Sequence, residues 1–260
     1  MLTLPARFAL LLAGLLALDC TQAQSNSNKL SVRYEAAPLE LRDIAAQAEQ
    51  DAILEGWREH IDALLPDQGL QLLLTMRTCD EANAFYDSDE QSIIYCYEEL
   101  QDTQNNFAQF EAEGQLNAEE AQAFAVGWSD YLFFHELGHA LIDQLEIPML
   151  GREEDVADQI STYIWVHRED GEHILNGTIF SFGAWEDDIS EDGLAATHSL
   201  NGQRYYNVMC WAYGADIERY SDAGDQLPEE RRDSCEEEYW QLANAIEQLL
   251  PLHFDDDQAP

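Results

Sequence analysis

The stretch Phe134-His135-Glu136-Leu137-Gly138-His139 holds the side chains best equipped to do chemistry. Two histidines four positions apart on a helix project from one face, one turn apart, so both imidazoles can reach a single metal ion. A glutamate directly after the first histidine stands beside the ion's open position, where it can take a proton from water. Zinc in a hydrolytic site wants three protein ligands, and two His with one Glu is an established set. Fifteen residues beyond His139 stands Glu154, inside Glu153-Glu154-Asp155-Val156-Ala157-Asp158. Glu154 and Asp158 again share a helical face, which supplies a third ligand and a carboxylate to hold a histidine tautomer. Glu153 is an alternative to Glu154. The competing reading is an exposed acidic helix N-terminus, favourable on dipole grounds alone.

Helices must carry these groups. Apolar spacing predicts one from Ala118 to Leu145 and another from Glu153 to Arg168, with Pro148 and Gly151 breaking the chain between them. That loop is long enough to fold the second helix back on the first. Upstream, Pro38 to Leu65 reads as a helix, Leu70 to Met76 and Ser92 to Tyr97 as strands, and Glu98 to Glu113 as a further helix. A terminal helix is expected near Cys235 to Leu250. The fold class is therefore α+β, mostly helical with a small sheet. At 260 residues a single domain is the natural expectation for 37–260, with an α/β lobe to about residue 146 and a helical lobe from about 147.

The chain carries 52 acidic and 12 basic side chains, a formal net charge of −40. Such a field repels phosphate backbones and anionic lipid, which argues against nucleic-acid and membrane-surface partners. Because Asp and Glu are spread along the whole chain, the acidity belongs to a solvated surface, and screening by salt should relieve its self-repulsion. Melting temperature is expected to rise between low and molar salt; a flat response in a thermal scan would refute this.

Arg7, the apolar run Phe8 to Leu18, and Thr21 with Ala23 read as a signal peptide cut after Ala23. Lipid anchoring at Cys20 is the rival, though Asp19 fits that reading poorly. Residues 24–36, Ser/Asn-rich at the start, read as a flexible leader. The mature chain then has no membrane span and is periplasmic or secreted. It keeps four cysteines, Cys79, Cys96, Cys210 and Cys235. An even number in an exported protein suggests two disulfides; three pairings are open, and the local one, Cys79–Cys96 with Cys210–Cys235, is expected because each pair brackets a short segment containing a loop. A partial calcium loop at Asp188 to Gly193 lacks its bidentate glutamate, Ser199 standing in that place.

The His-Glu-x-x-His and Glu-x-x-x-Asp pair resembles the gluzincin metallopeptidases. The run from His135 to Asp158 looks closer still to an uncharacterised bacterial family of zinc metallopeptidases, a likeness extending through Cys79 to Tyr97 and Gln203 to Cys210. By that resemblance one zinc ion is held by His135, His139 and Glu154, with Glu136 as general base, Asp158 behind the ligands, a zincin-like fold and a peptide or protein substrate. The linker between the motifs is shorter than in many gluzincins, implying a reduced domain between the helices. In the neprilysin-like branch a similarly spaced His and Arg stabilise the oxyanion, which would assign that role to His198 and Arg204, although that branch's proline is missing here. A comparable edge strand in gluzincins pairs with an extended peptide, and Ser92 to Tyr97 is either that strand or an ordinary core strand pinned by Cys96. Against catalysis stand a non-catalytic zinc-containing binding module on the same scaffold and a metal-free acidic interaction protein. A binding module has no use for the base at Glu136.

Overall fold

A computed structural model describes residues 27–254 except Glu186 and Asp188. The signal peptide, Cys20, the first position of the calcium-like loop and the acidic end from Asp255 lie outside the described residues.

A four-stranded sheet and eleven α-helices among the described residues make the fold α+β, mostly helical, and consistent with a zincin-like domain. The strands are β1 (Lys29–Tyr34), β2 (Gln71–Arg77), β3 (Ala84–Asp87) and β4 (Ser92–Cys96), in spatial order β1-β2-β4-β3. β1, β2 and β4 run parallel, and β3 is antiparallel to β4. One expectation is corrected here, and of the two readings open for Ser92 to Tyr97 the core strand is the one observed. Residues 29–34 are not flexible leader: Leu30, Val32 and Tyr34 alternate onto the core while the backbone pairs with Leu70–Met76. Nor is the Ser92 segment an edge. β4 sits between β2 and β3 with all five residues buried, as a two-sided strand rich in β-branched and aromatic residues should be. The edges are β1, which packs on the helix Ile53–Leu64, and β3, which packs on the helix Ala118–Gln144.

The stretch from Pro38 to Leu65 is two helices, α1 (Arg42–Gln50) and α2 (Ile53–Leu64), preceded by one 3-10 turn and broken at Ala52, whose φ is 53°. In a continuous helix Trp57 would lie half a turn from Ala48, nine residues being two and a half turns at 3.6 residues per turn. The break turns both stripes to the same core. Trp57 then stacks on Phe133 at 4.1 Å and donates from Nε1 to Asp130 at 2.7 Å.

Burial pushes the Asp130 carboxyl up to about 6, against an ordinary value of 3.8, the Trp57 hydrogen bond opposing. The folded chain therefore holds this proton more tightly than the unfolded chain does, and stability falls as pH rises from about 4 through 6. Asp130→Asn keeps an acceptor for Trp57 without a buried charge. It should stabilise the protein by about 2–3 kcal/mol at pH 7.5 and by almost nothing at pH 4; equal effects at both pH values in urea denaturation would refute this.

After α3 (Tyr97–Ala112) comes the longest element, α4 (Ala118–Gln144). Its start is specified locally: Asn117 accepts from the amides of Glu119 and Glu120 at 3.0 Å, and Glu120 returns to the Asn117 amide at 2.9 Å. The helix is apolar around most of its circumference because it runs through the core, packed against α3, β3, β4, α5 (Glu153–Val166) and α6 (Gly171–Ala184). The remainder is helical: α7 (Glu191–Ala195), α8 (Asn201–Ala215), α9 (Ser221–Gln226), α10 (Glu229–Arg232) and α11 (Cys235–Leu249). The disulfides are Cys79–Cys96, tying the segment before β3 to β4, and Cys210–Cys235, tying α8 to α11. Two disulfides indicate an oxidising compartment. No helix among the described residues is long and apolar enough to cross a membrane.

Candidate metal centre

α4 and α5 lie side by side, and a glycine lets them approach. A Cβ on Gly138 would meet the Ala157 Cα at 2.9 Å, so any larger residue would drive apart the two helices that carry the polar groups. The contact brings His135 and His139 on α4 against Glu154 on α5. His135 Nε2 and His139 Nε2 are 3.3 Å apart, and Glu154 Oε2 is 3.2 Å from each.

The opposite ring nitrogens are held from behind. His135 Nδ1 is 2.9 Å from Asp158 Oδ1, and His139 Nδ1 is 2.8 Å from Glu153 Oε1. A carboxylate accepts, so each Nδ1 carries a hydrogen, and when the ring is neutral its Nε2 presents a lone pair. Two lone pairs and a carboxylate oxygen then converge on one point, which is repulsive unless a positive charge sits there. The acid–base balance says the same. Burial acts to lower His135, yet Asp158 and Glu154 carry it up to about 9. His139 is raised as well: burial and the neighbouring His135 act to lower it, and Glu154, Glu136 and Glu153 together outweigh them. Burial would raise Glu154, but His135, His139 and His198 hold it well below the usual carboxylate range. These donors suit a metal ion. His135, Glu136 and His139 form one potential ligand group, and His135, Glu154 and His198 a second.

Asp158 is buried and heavily bonded. Arg204 on α8 grips it with Nε on Oδ2 and Nη2 on Oδ1, both at 2.7 Å, and the Tyr131 hydroxyl lies 3.3 Å from Oδ1. Burial raises Asp158, but Arg204 and His135 hold it well below the ordinary carboxylate range. The Arg204 guanidinium also lies 4.2 Å over the Phe182 ring. Arg204, expected to face a substrate carbonyl, thus turns its fork to a carboxylate at this centre. His198 lies at the rim, 50% exposed, with Nε2 2.9 Å from Glu154 Oε2.

Glu136 occupies the other side. Burial pushes its carboxyl up, with His135 and His139 opposing. Its Oε2 accepts from the Tyr86 amide of β3 at 2.9 Å. Asn83 carbonyl accepts from Cys96 N–H, so in this antiparallel register Asn83, Phe85 and Asp87 face β4 while the main-chain groups of Ala84 and Tyr86 face away from it. Both line a cleft of about 1420 Å³ together with His135, Glu136, His139, Glu154, His198 and Arg204.

Sequence reasoning gathered His135, Glu136, His139, Glu154, Asp158, His198 and Arg204; the fold brings six of them to the lining of this cleft and places Asp158 directly behind His135. It missed β3, a four-residue strand whose composition barely differs from the surrounding turn, and the contribution of Tyr131. Glu153, weighed as a substitute ligand, lies against the Nδ1 of His139 instead.

A family model described as "Putative metallopeptidase" matches residues 35–250. Nothing among curated proteins or solved structures matches the chain. The His135-Glu136-Leu137-Gly138-His139 motif and the converging donors agree with metal-dependent hydrolysis, a metal ion and a peptide or protein substrate. With most of its length matched, the chain belongs to the family that carries this description.

Proposed function

We propose that the protein is a zinc-dependent peptidase of the gluzincin type, with His135, His139 and Glu154 as ligands. The observation that carries this is the triangle of His135 Nε2, His139 Nε2 and Glu154 Oε2, with sides of 3.2–3.3 Å. Tetrahedral zinc with bonds of about 2.0–2.1 Å has ligand–ligand edges of about 3.3 Å, so these atoms suit one face of that polyhedron and leave a fourth position open. When bound, zinc acidifies water and polarises a carbonyl.

The chain's own groups supply the rest. The outward carbonyls of Ala84 and Tyr86, whose amides already bond Asn83 Oδ1 and Glu136 Oε2, accept from the amides of an extended substrate and hold it along the cleft. Glu136 Oε2 is anchored by the Tyr86 amide, which leaves Oε1 free to take a proton from the attacking water. As the C–N bond breaks, the same oxygen returns that proton to the leaving amine nitrogen. His198, at the rim and able to donate from Nε2, stabilises the oxyanion. Arg204 supports this centre through Asp158, which keeps the His135 ring in its ligating tautomer.

The test uses the mature chain from residue 24, metal-loaded and assayed by elemental analysis and by mass spectrometry of a diverse peptide pool. About one zinc per chain and cleavage that is lost on chelation and regained with zinc are expected. Cleavage that survives complete metal removal, or a zinc-loaded protein that cuts no peptide, would overturn the reading; the second result favours the binding module.

A further inference from the structure

One part of the cleft lies away from the ligands and takes no part in the proposed chemistry. Trp128 is on the same helix as His135, seven residues earlier, which places it about 10 Å along the axis. Beside it are Trp185, Phe182 and, on α3, Glu99 and Asp102. The two indoles meet edge to face at 4.7 Å, and Trp128 meets Phe182 in the same way at 5.4 Å. The result is an aromatic wall with a carboxylate built into it. Glu99 Oε1 accepts from Trp128 Nε1 at 3.1 Å and from the Thr103 hydroxyl at 3.2 Å, which fixes the side chain. Among the described residues nothing bonds to its Oε2.

We infer that this pocket is a specificity site for a cationic substrate side chain, lysine or arginine, with Glu99 as the charge partner and Trp128 and Trp185 as the walls. The inference rests on the peptidase reading and names its substrate class. Three features agree. A long aliphatic stem packs on indole faces while its charged head reaches a carboxylate, a division that suits Lys and Arg and no anionic or short side chain. A half-buried carboxylate with a spare oxygen is stabilised by a partner that donates charged hydrogen bonds. The net charge of −40 also draws basic peptides toward the molecule and repels acidic ones. The basic group in the vicinity, Arg204, is already committed to Asp158 and does not neutralise Glu99. An extended chain advances about 3.3 Å per residue, so the pocket receives a side chain within about three positions of the bond cut.

The experiment compares two hexapeptide pools, one carrying Lys and Arg at every position in turn, the other carrying their neutral counterparts norleucine and citrulline. Cleavage by the zinc-loaded wild type and equilibrium binding to zinc-loaded Glu136→Gln are both measured. Cationic peptides should be favoured about 10-fold or more at one fixed position, in both assays. In Glu99→Gln, which keeps an acceptor for Trp128, that ratio should fall toward one, and salt should reduce it in the wild type. Cleavage without preference for the cationic pool overturns the inference and leaves the peptidase reading intact. If no peptide is cut, the peptidase reading fails and binding alone decides: equal affinity for the two pools overturns the inference, a cationic preference lost in Glu99→Gln supports it.

Discussion

Glu136→Gln is expected to lower the cleavage rate about 1000-fold while zinc content stays near one per chain. The size follows from the geometry. Glu136 is buried beside the imidazoles and held there by the Tyr86 amide. The other nearby carboxylates are engaged by the histidines, Glu154 at Nε2 and Glu153 at the Nδ1 of His139, and bulk water is a poor base. Glutamine fills the same volume and still accepts from the Tyr86 amide, so the fold and the ligand atoms should be undisturbed. Single-turnover kinetics on a peptide found in the pool assay, paired with metal analysis, checks both halves. Activity within 10-fold of wild type would remove Glu136 from the base role. Lost zinc would instead make it a ligand, as its place beside His135 and His139 permits.

Arg204→Met should destabilise the protein by about 3–5 kcal/mol in urea denaturation, because it strands Asp158 as a buried charge with a single cationic partner removed. Methionine retains most of the contact with Phe182, so the loss is mainly electrostatic. Zinc affinity should fall about 10–100-fold in the same variant, since Asp158 orients His135 and loses its own anchor. This outcome separates two roles. An arginine that only gripped substrate would lower turnover and leave stability within 1 kcal/mol of wild type, and that result would restore the oxyanion assignment suggested by the spacing of His198 and Arg204.

The metal motif was legible because its information is local. His135, Glu136 and His139 are related by one helical turn, and a turn of helix is the same wherever it sits. Glu154 and Asp158 were legible for the same reason within their own helix, and the disulfides because each joins near neighbours in sequence. The long helix α4 was placed within a residue of its ends by its apolar content, and the structure adds the Asn117–Glu120 cap that fixes its start. Its neighbour α6 was not foreseen, since Gly171, Gly177 and Gly183 depress helix propensity, yet Gly177 is there because a Cβ would meet the Phe124 carbonyl at 2.7 Å. A close helix crossing is a property of two segments, and neither one discloses it.

The same distinction separates what the chain alone determined from what its folding decided. Residue type and short-range spacing pointed to metal-dependent hydrolysis, to the ligand trio and base proposed above, and to the α+β class and the acidic composition, because each depends on identity or on one turn of backbone. Tertiary structure decided which of the candidate groups face each other. It put Arg204 on Asp158, Glu153 on His139, and the edge of β3 rather than β4 along Glu136, and it closed the aromatic pocket around Glu99. Those pairings span from 14 to 50 residues of chain. No local rule relates such distant positions; they meet because burying one continuous apolar core leaves the polar groups few places to go.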